Sequence, residues 1–240
     1  MNHLEVRDLF VDYIDKKTIT HALKGFNASF ASGINVVIGL SGSGKSTLLK
    51  TILGLLDYEG NVSLNGKSLD EVAPRDRNFA FVSQEYQLYP MITVFDNIAF
   101  PLKIMGASKE EIKERVYRMA DKTGLRACLS RKPRHISGGQ QQRVAIARAL
   151  IRNPSVCLLD EPFSNCDQKT REDARGWVKE ILTDQNCIGI YVTHDFKEAL
   201  LIGNRIFVLD DGKNILEGTP TEIFDSPLPL IQEMKKASLL

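Results

Sequence analysis

The sequence has little net charge, a single tryptophan, few cysteines and no long apolar run. Its 31 lysines and arginines nearly balance 30 acids, leaving a formal charge of +1. No strong field therefore draws it to nucleic acid or to an anionic membrane. No apolar run approaches the roughly 18 residues of a membrane span. The start, MNHLEVRDLF, lacks the basic-then-apolar layout of a secretory signal. The four cysteines, Cys128, Cys157, Cys166 and Cys187, are scattered and show no C-x-x-C spacing. They read as reduced, mostly buried thiols of a cytosolic protein, not as a disulfide framework or a zinc site. Repeats and low-complexity segments are also lacking. What is there is 240 residues, 43% hydrophobic and 25% charged, enough for one sizeable globular unit.

Four short runs, INVVIG, SVCLLD, IGIYVT and RIFVLD, are almost continuously apolar. That is the mark of strands buried on both faces, as in a parallel sheet covered by helices. LEVRDLFVDY, HALKGFNASF and GNVSLNGK alternate more and predict half-exposed antiparallel strands. Asp211-Gly212, between RIFVL and KNILEG, is a hairpin signal. Ser108 with Glu111 predicts a capping box opening KEEIKERVYRMADKTG, and Thr219, Pro220 and Glu222 predict another helix start. Tyr86 to Arg152 reads as helical. The expected fold class is α/β, a mostly parallel core sheet with an antiparallel β-subdomain and an all-helical insert. All 240 residues form a single domain, with 1–85 and 155–240 as the core and 86–154 as the helical part.

Gly39-Leu40-Ser41-Gly42-Ser43-Gly44-Lys45-Ser46 matches G-x-x-x-x-G-K-[ST] in full, after a strand and before the helix of STLLKTILGLL. Glycines let the backbone wrap closely around phosphate oxygens, and a helix N-terminus favours the negative charge. Lys45 supplies a full charge for the β- and γ-phosphates, and the Ser46 hydroxyl suits Mg²⁺. Thr47 completes the phosphate-binding set. The strand end SVCLLDEP supplies carboxylates. Asp160 is placed to hold the metal and Glu161 to take a proton from an attacking water.

A second glycine-rich helix start lies in HISGGQQQRVAIARAL. Glycine inside a helix costs about 1 kcal/mol relative to alanine, so Gly138 and Gly139 need a reason. Ser137 as N-cap and Gln140 three residues on form a capping box, and the glycines bare N–H groups for an anion.

The phosphate loop, ISGGQ and LLDEP, in that order, resemble the ATPase subunit of ATP-binding cassette (ABC) transporters over nearly the whole chain. The resemblance implies a P-loop NTPase core using ATP and Mg²⁺. It identifies Gln84 as the Q-loop glutamine near metal and water, SNCD at 164–167 as the D-loop with Asp167 at the nucleotide, His194 as the switch histidine on the γ-phosphate, and Tyr13 as the aromatic stacked on adenine. Ile136 and Cys166 stand where the family usually has leucine. The two glycine-rich starts then serve different chains. Two subunits meet head to tail, and each signature segment, Ser137 to Gln140, closes on the other's ATP. The implied partners are a second ATPase subunit, identical or paralogous, transmembrane permease subunits and a solute-binding protein, with no nucleic acid. The implied place is the cytoplasmic face of the cell membrane. EYQLYPMITVFDNIAFPLK resembles importers of the maltose type, with Tyr86, Leu88, Tyr89 and Pro90 as an apolar patch for the permease. The regulatory β-domain that sugar importers often carry is not expected after SPLP. Two alternatives stand beside it: the partner of an exporter or mechanotransmission complex, with the same fold and chemistry, and a soluble ABC ATPase outside transport, a class that needs coiled-coil insertions, tandem cassettes or basic surfaces, none of which is read here.

Overall fold

The computed structural model describes residues 2–15, 18–163 and 168–238. The sequence opens with a long hairpin of β1 (His3–Asp15) and β2 (Thr18–Ala31), which pair antiparallel with several bulges. Strand β4 (Glu59–Leu64) joins β1, and β5 (Lys67–Ser68) joins β4, closing a four-stranded sheet of order β2-β1-β4-β5. Alternation of buried and exposed positions in β1 marks one covered face and one wet face, as the sequence pattern predicts.

The second sheet contains β3 (Gly33–Ile38), β6 (Phe79–Val82), β7 (Val156–Asp160), β8 (Ile188–Thr193), β9 (Arg205–Asp210) and β10 (Lys213–Gly218). Its order is β10-β9-β3-β8-β7-β6, parallel except for the β9–β10 hairpin at one edge. Asp211 and Gly212 turn that hairpin with φ of 42° and 76°, which suits the type I′ preference of Asp-Gly. Both faces of this sheet are buried. In β3, Ile34, Val36 and Ile38 enter one core while Val37 enters the other, and Cys157/Leu159 against Val156/Leu158 repeats the division in β7. This is why the four runs are apolar without a break. One strand was not foreseen. β6 has four residues, FAFV, with Phe81 exposed at the edge, too short to show a period.

Helix α1 (Lys45–Ile52) packs with the antiparallel sheet over one face. The helices α2 (Val94–Ile104), α3 (Lys109–Lys122) and α4 (Gly138–Leu150) follow β6, and every regular element between β6 and β7 is helical among these described residues. They share the opposite core with α5 (Gln168–Asp184) and α6 (Phe196–Ile202). Two short helices, α7 (Pro220–Asp225) and α8 (Pro229–Ser238), follow. Thr219 and Glu222 cap α7 reciprocally, with Pro220 in its first turn. The box expected at Ser108 forms only by half. Ser108 accepts from the Glu111 N–H, but the Glu111 carboxylate turns forward to Arg115 at 2.9 Å. A half-buried arginine one turn on offers that carboxylate a charged partner instead of a backbone amide. Cys128, Cys157 and Cys187 are buried free thiols. Cys166 lies outside the described residues. No helix among the described residues is long and apolar enough to cross a membrane.

Candidate functional site

Strand β3 ends in the phosphate loop, and α1 begins at Lys45. Gly44 sits at the N-cap with φ of 107°, and a Cβ there would lie 2.6 Å from the Ala22 carbonyl of β2. No other residue fits that conformation and approach. At Gly39 a Cβ would stand 2.2 Å from the Leu209 carbonyl. Above Gly42, by contrast, a Cβ would meet no atom of the described residues within 4 Å, so the bowl of the loop is open among them. Ser43 Oγ is buried there with no hydrogen-bond partner among the described residues, an atom suited to a polar ligand.

Lys45 is buried and reaches back over the loop, donating to the Gly39 carbonyl at 2.9 Å and the Leu40 carbonyl at 2.7 Å. Burial lowers its ammonium pKa, while Glu161 and Asp160 oppose the shift. Asp160 closes β7. Burial pushes its carboxyl above the ordinary value, a hydrogen bond from Ser46 pulls the other way, and the neighbouring Glu161 pushes it up again. A half-buried carboxylate beside a hydroxyl at a helix start is a donor set that fits a hard divalent cation.

Glu161 follows with φ of 44°, its N–H bonded to the Val192 carbonyl at 3.0 Å. Its carboxylate meets His194 Nδ1 at 2.9 Å. The His194 ring is largely exposed. One open cleft of about 940 Å³ is lined by Tyr13, Ser41, Gly42, Gly44, Lys45, Ser46, Thr47, Gln84, Glu161 and His194. The structure thus brings together residues drawn from β1, the phosphate loop, α1 and the ends of β6, β7 and β8. Gly39, Ser43 and Asp160 support the cleft without lining it. Tyr13 is partly exposed at the far end, its hydroxyl 3.3 Å from Thr47 Oγ1.

Other residues of the cleft carry no motif. Ile19, Thr20, His21, Ala22 and Lys24 of β2 line it, with Asp211 from the β9–β10 turn. His21 pairs with Asp12 at 2.8 Å, and Lys24 with Asp211 at 2.6 Å. The available signal was register: Tyr13 lies opposite Thr20, so whatever flanks Thr20 flanks the tyrosine.

The signature segment stands elsewhere. Ser137 caps α4, accepting from the Gln140 N–H at 3.3 Å, and the Gln140 side chain accepts from the Ser137 N–H at 3.1 Å. Ser137 and Gly138 are exposed, and none of Ser137, Gly138, Gly139 or Gln140 lines the cleft. Residues 164–167, with the expected Asp167, lie outside the described residues.

The expected apolar patch is redistributed. Tyr86 and Leu88 are half-buried against the main core, and Tyr89 and Pro90 are exposed. The Tyr89 ring packs at a tilt against Phe100, centroids 4.6 Å apart, and a groove of about 310 Å³ runs on past Phe81, Ile104 and Met105. Arg148 holds the turn by donating to the Tyr86 and Gln87 carbonyls, each at 3.1 Å. The apolar surface therefore belongs to the end of α2 more than to the segment after Gln84.

The sequence pattern of the ABC transporter family matches residues 23–164. The chain is 42% identical over 229 residues to the sn-glycerol-3-phosphate import ATP-binding protein UgpC of Cereibacter sphaeroides, covering 95% of this chain and 64% of that protein. It is equally identical to the oligosaccharides import ATP-binding protein MsmX of Bacillus subtilis, over 95% of this chain and 62% of that one. It is 44% identical over 199 residues to the trehalose/maltose import ATP-binding protein MalK of Thermococcus litoralis, over 80% of this chain and 54% of that one. The chain thus spans less than two thirds of the length of these relatives. Its fold is similar to a solved dimer of an ATP-binding cassette in a post-hydrolysis state with ADP and Pi. The TM-score is 0.81 and the identity 32%, over 90% of this chain and 98% of that one.

Proposed function

The chain belongs to the ABC transporter family, and from that premise we propose that it is an ATP-hydrolysing subunit powering import of a solute across a membrane. Import is favoured over export because the relatives described above are import proteins by name. The reading places it at the cytoplasmic face, against transmembrane permease subunits supplied by a solute-binding protein. Residues 86–154 form the helical subdomain that moves with ATP, and the Tyr89–Phe100 groove receives the permease.

One observation carries the catalytic reading: two helix starts suited to phosphate occupy separate places, one inside the cleft and one exposed outside it. Neither is a whole site, so a second subunit, identical or paralogous, turned head to tail supplies what each lacks. Lys45 and the loop amides hold the β- and γ-phosphates. Tyr13 stacks on the base. Mg²⁺, held by Ser46 and Asp160 with Gln84 beside it, would neutralise phosphate charge when bound. Glu161 accepts the proton of the attacking water, His194 holds the γ-phosphate side of the pair, and Ser137 to Gln140 of the second subunit close the site. Catalysis is positioning plus charge neutralisation.

The test is Glu161→Gln. Turnover should vanish while ATP binding persists, because only the base is lost, and a dimer should accumulate with ATP on size exclusion. Near wild-type phosphate release would remove Glu161 from its role.

A further inference from the structure

We propose that Glu198 is a positioning residue: with Arg175 and the Arg171–Asp195 pair it ties the first turns of α5 to the turn carrying His194, and so fixes where the imidazole stands against Glu161. The proposal rests on the functional reading only in taking Glu161 and His194 as the pair that works on the γ-phosphate.

Glu198 is a carboxylate only 4% exposed, and a charge that deep is costly unless paired. Its partners come from two elements. Arg175 of α5 donates to Oε1 at 3.3 Å, and Thr193 Oγ1, at the end of β8, donates to Oε2 at 2.9 Å. The wholly buried Tyr191 interacts with the same carboxylate. Thr193 is also an acceptor, taking the Asp195 N–H at 3.0 Å. Asp195 in turn caps α6, accepting the Glu198 N–H at 2.9 Å, and its other oxygen lies 3.5 Å from Arg171.

These contacts form a ladder. Arg171 and Arg175 are four apart on α5, and Asp195 and Glu198 are three apart at the start of α6, so each pair shares a face. His194 is bracketed between the rungs. The residue before it is held by Glu198, and the residue after it by Arg171. Beside its contact with Glu161, these rungs are what the described residues offer to hold it. The His194 side chain is 64% exposed, and a cavity of about 70 Å³ lies under the turn, lined by Glu161, Arg171, Thr193, His194, Asp195 and Glu198. Where packing is absent, directional polar contacts decide position. The 2.9 Å contact of His194 with Glu161 is therefore set from α5, the helix that directly follows residues 164–167.

The chain has four histidines, so selective ¹⁵N labelling of histidine resolves His194, identified by the signal lost in His194→Ala. Glu198→Gln keeps the shape of the side chain but removes the charge that Arg175 meets. The His194 ring signals should shift while those of His3, His21 and His135 stay. The kcat for ATP should fall about 10- to 100-fold, the scale of a small misplacement, with ATP affinity within about twofold of wild type. Unchanged His194 signals in the folded variant would overturn the proposal. So would a common shift of all four histidines with a large fall in Tm, which would make Glu198 a general structural residue. If Glu198→Gln does not fold, Arg171→Gln on the more exposed rung decides by the same criteria. The labelled spectra need no nucleotide. A wild-type protein without ATPase activity would therefore sink the functional reading and leave the positioning role to be judged by the spectra.

Discussion

Replacing Gly138 by alanine separates what the fold needs from what a ligand needs. Gly138 is the first residue of α4, and a Cβ there would meet nothing within 4 Å. It does not hold a positive φ, and the Ser137–Gln140 box around it uses neither of its atoms as a side-chain partner. Nothing among the described residues asks for glycine here. The substitution narrows the unfolded ensemble, worth about 0.4–1 kcal/mol in favour of the folded state. For a chain of this size that is a rise in Tm of about 1–4 °C. The added methyl would instead stand where the second subunit's γ-phosphate must approach the bare amides. Loss of one preorganised donor costs about a hundredfold in kcat or more, so turnover should collapse in a protein more stable than wild type. Thermal unfolding without nucleotide and phosphate release at saturating ATP measure the two effects. A fall in Tm of several degrees would show that the fold requires the glycine. Unchanged turnover would show that no phosphate comes near it.

Two further outcomes follow from the same geometry. Burial raises the Asp160 carboxyl, so the unfolded chain ionises first and folded stability falls as pH rises from the ordinary carboxylate value of 3.8 through the folded value. Asp160→Asn should therefore raise the Tm of the nucleotide-free protein at neutral pH, with the gain fading as pH falls through the folded value and gone below 3.8, while Mg²⁺-dependent ATPase activity is lost; equal Tm values at pH 7 would refute the burial argument. Lys45→Ala and Gly139→Asp should each be inactive alone, but a tethered dimer of the two should regain activity at the one site where both halves are intact, and a Gly139→Asp protein fully active as a monomer would end the two-subunit reading.

Much of this was legible in the sequence where one residue type has one physical use. Buried strands between helices must be apolar on both faces, so INVVIG and its three companions announce the central sheet. A lysine after a glycine-rich turn announces the phosphate loop. The misses are of another kind. FAFV is too short to show a period, and Glu111 had two partners within reach, of which Arg115 wins. His21, Lys24 and Asp211 enter the cleft only because β2 pairs with β1 and runs beside the loop. Glu198 reads in sequence as an ordinary helix residue, and only tertiary contacts, with Arg175 of α5 and the end of β8 among them, show it to be buried and paired. Motifs report groups that act on a ligand. The groups that hold them come from tertiary contacts with no local signature.

Lys45 spans its own loop, bonded to the carbonyls of Gly39 and Leu40. An ammonium latched in this way braces the curved shape of the loop from within the chain. Ligand entry then exchanges two carbonyl contacts for phosphate oxygens instead of freezing a slack segment, and the ordering entropy that a floppy loop would lose is largely absent. The heat of binding should accordingly vary little with temperature for the phosphate half of the ligand. The apolar surface covered by the base at Tyr13 would supply most of the heat-capacity change.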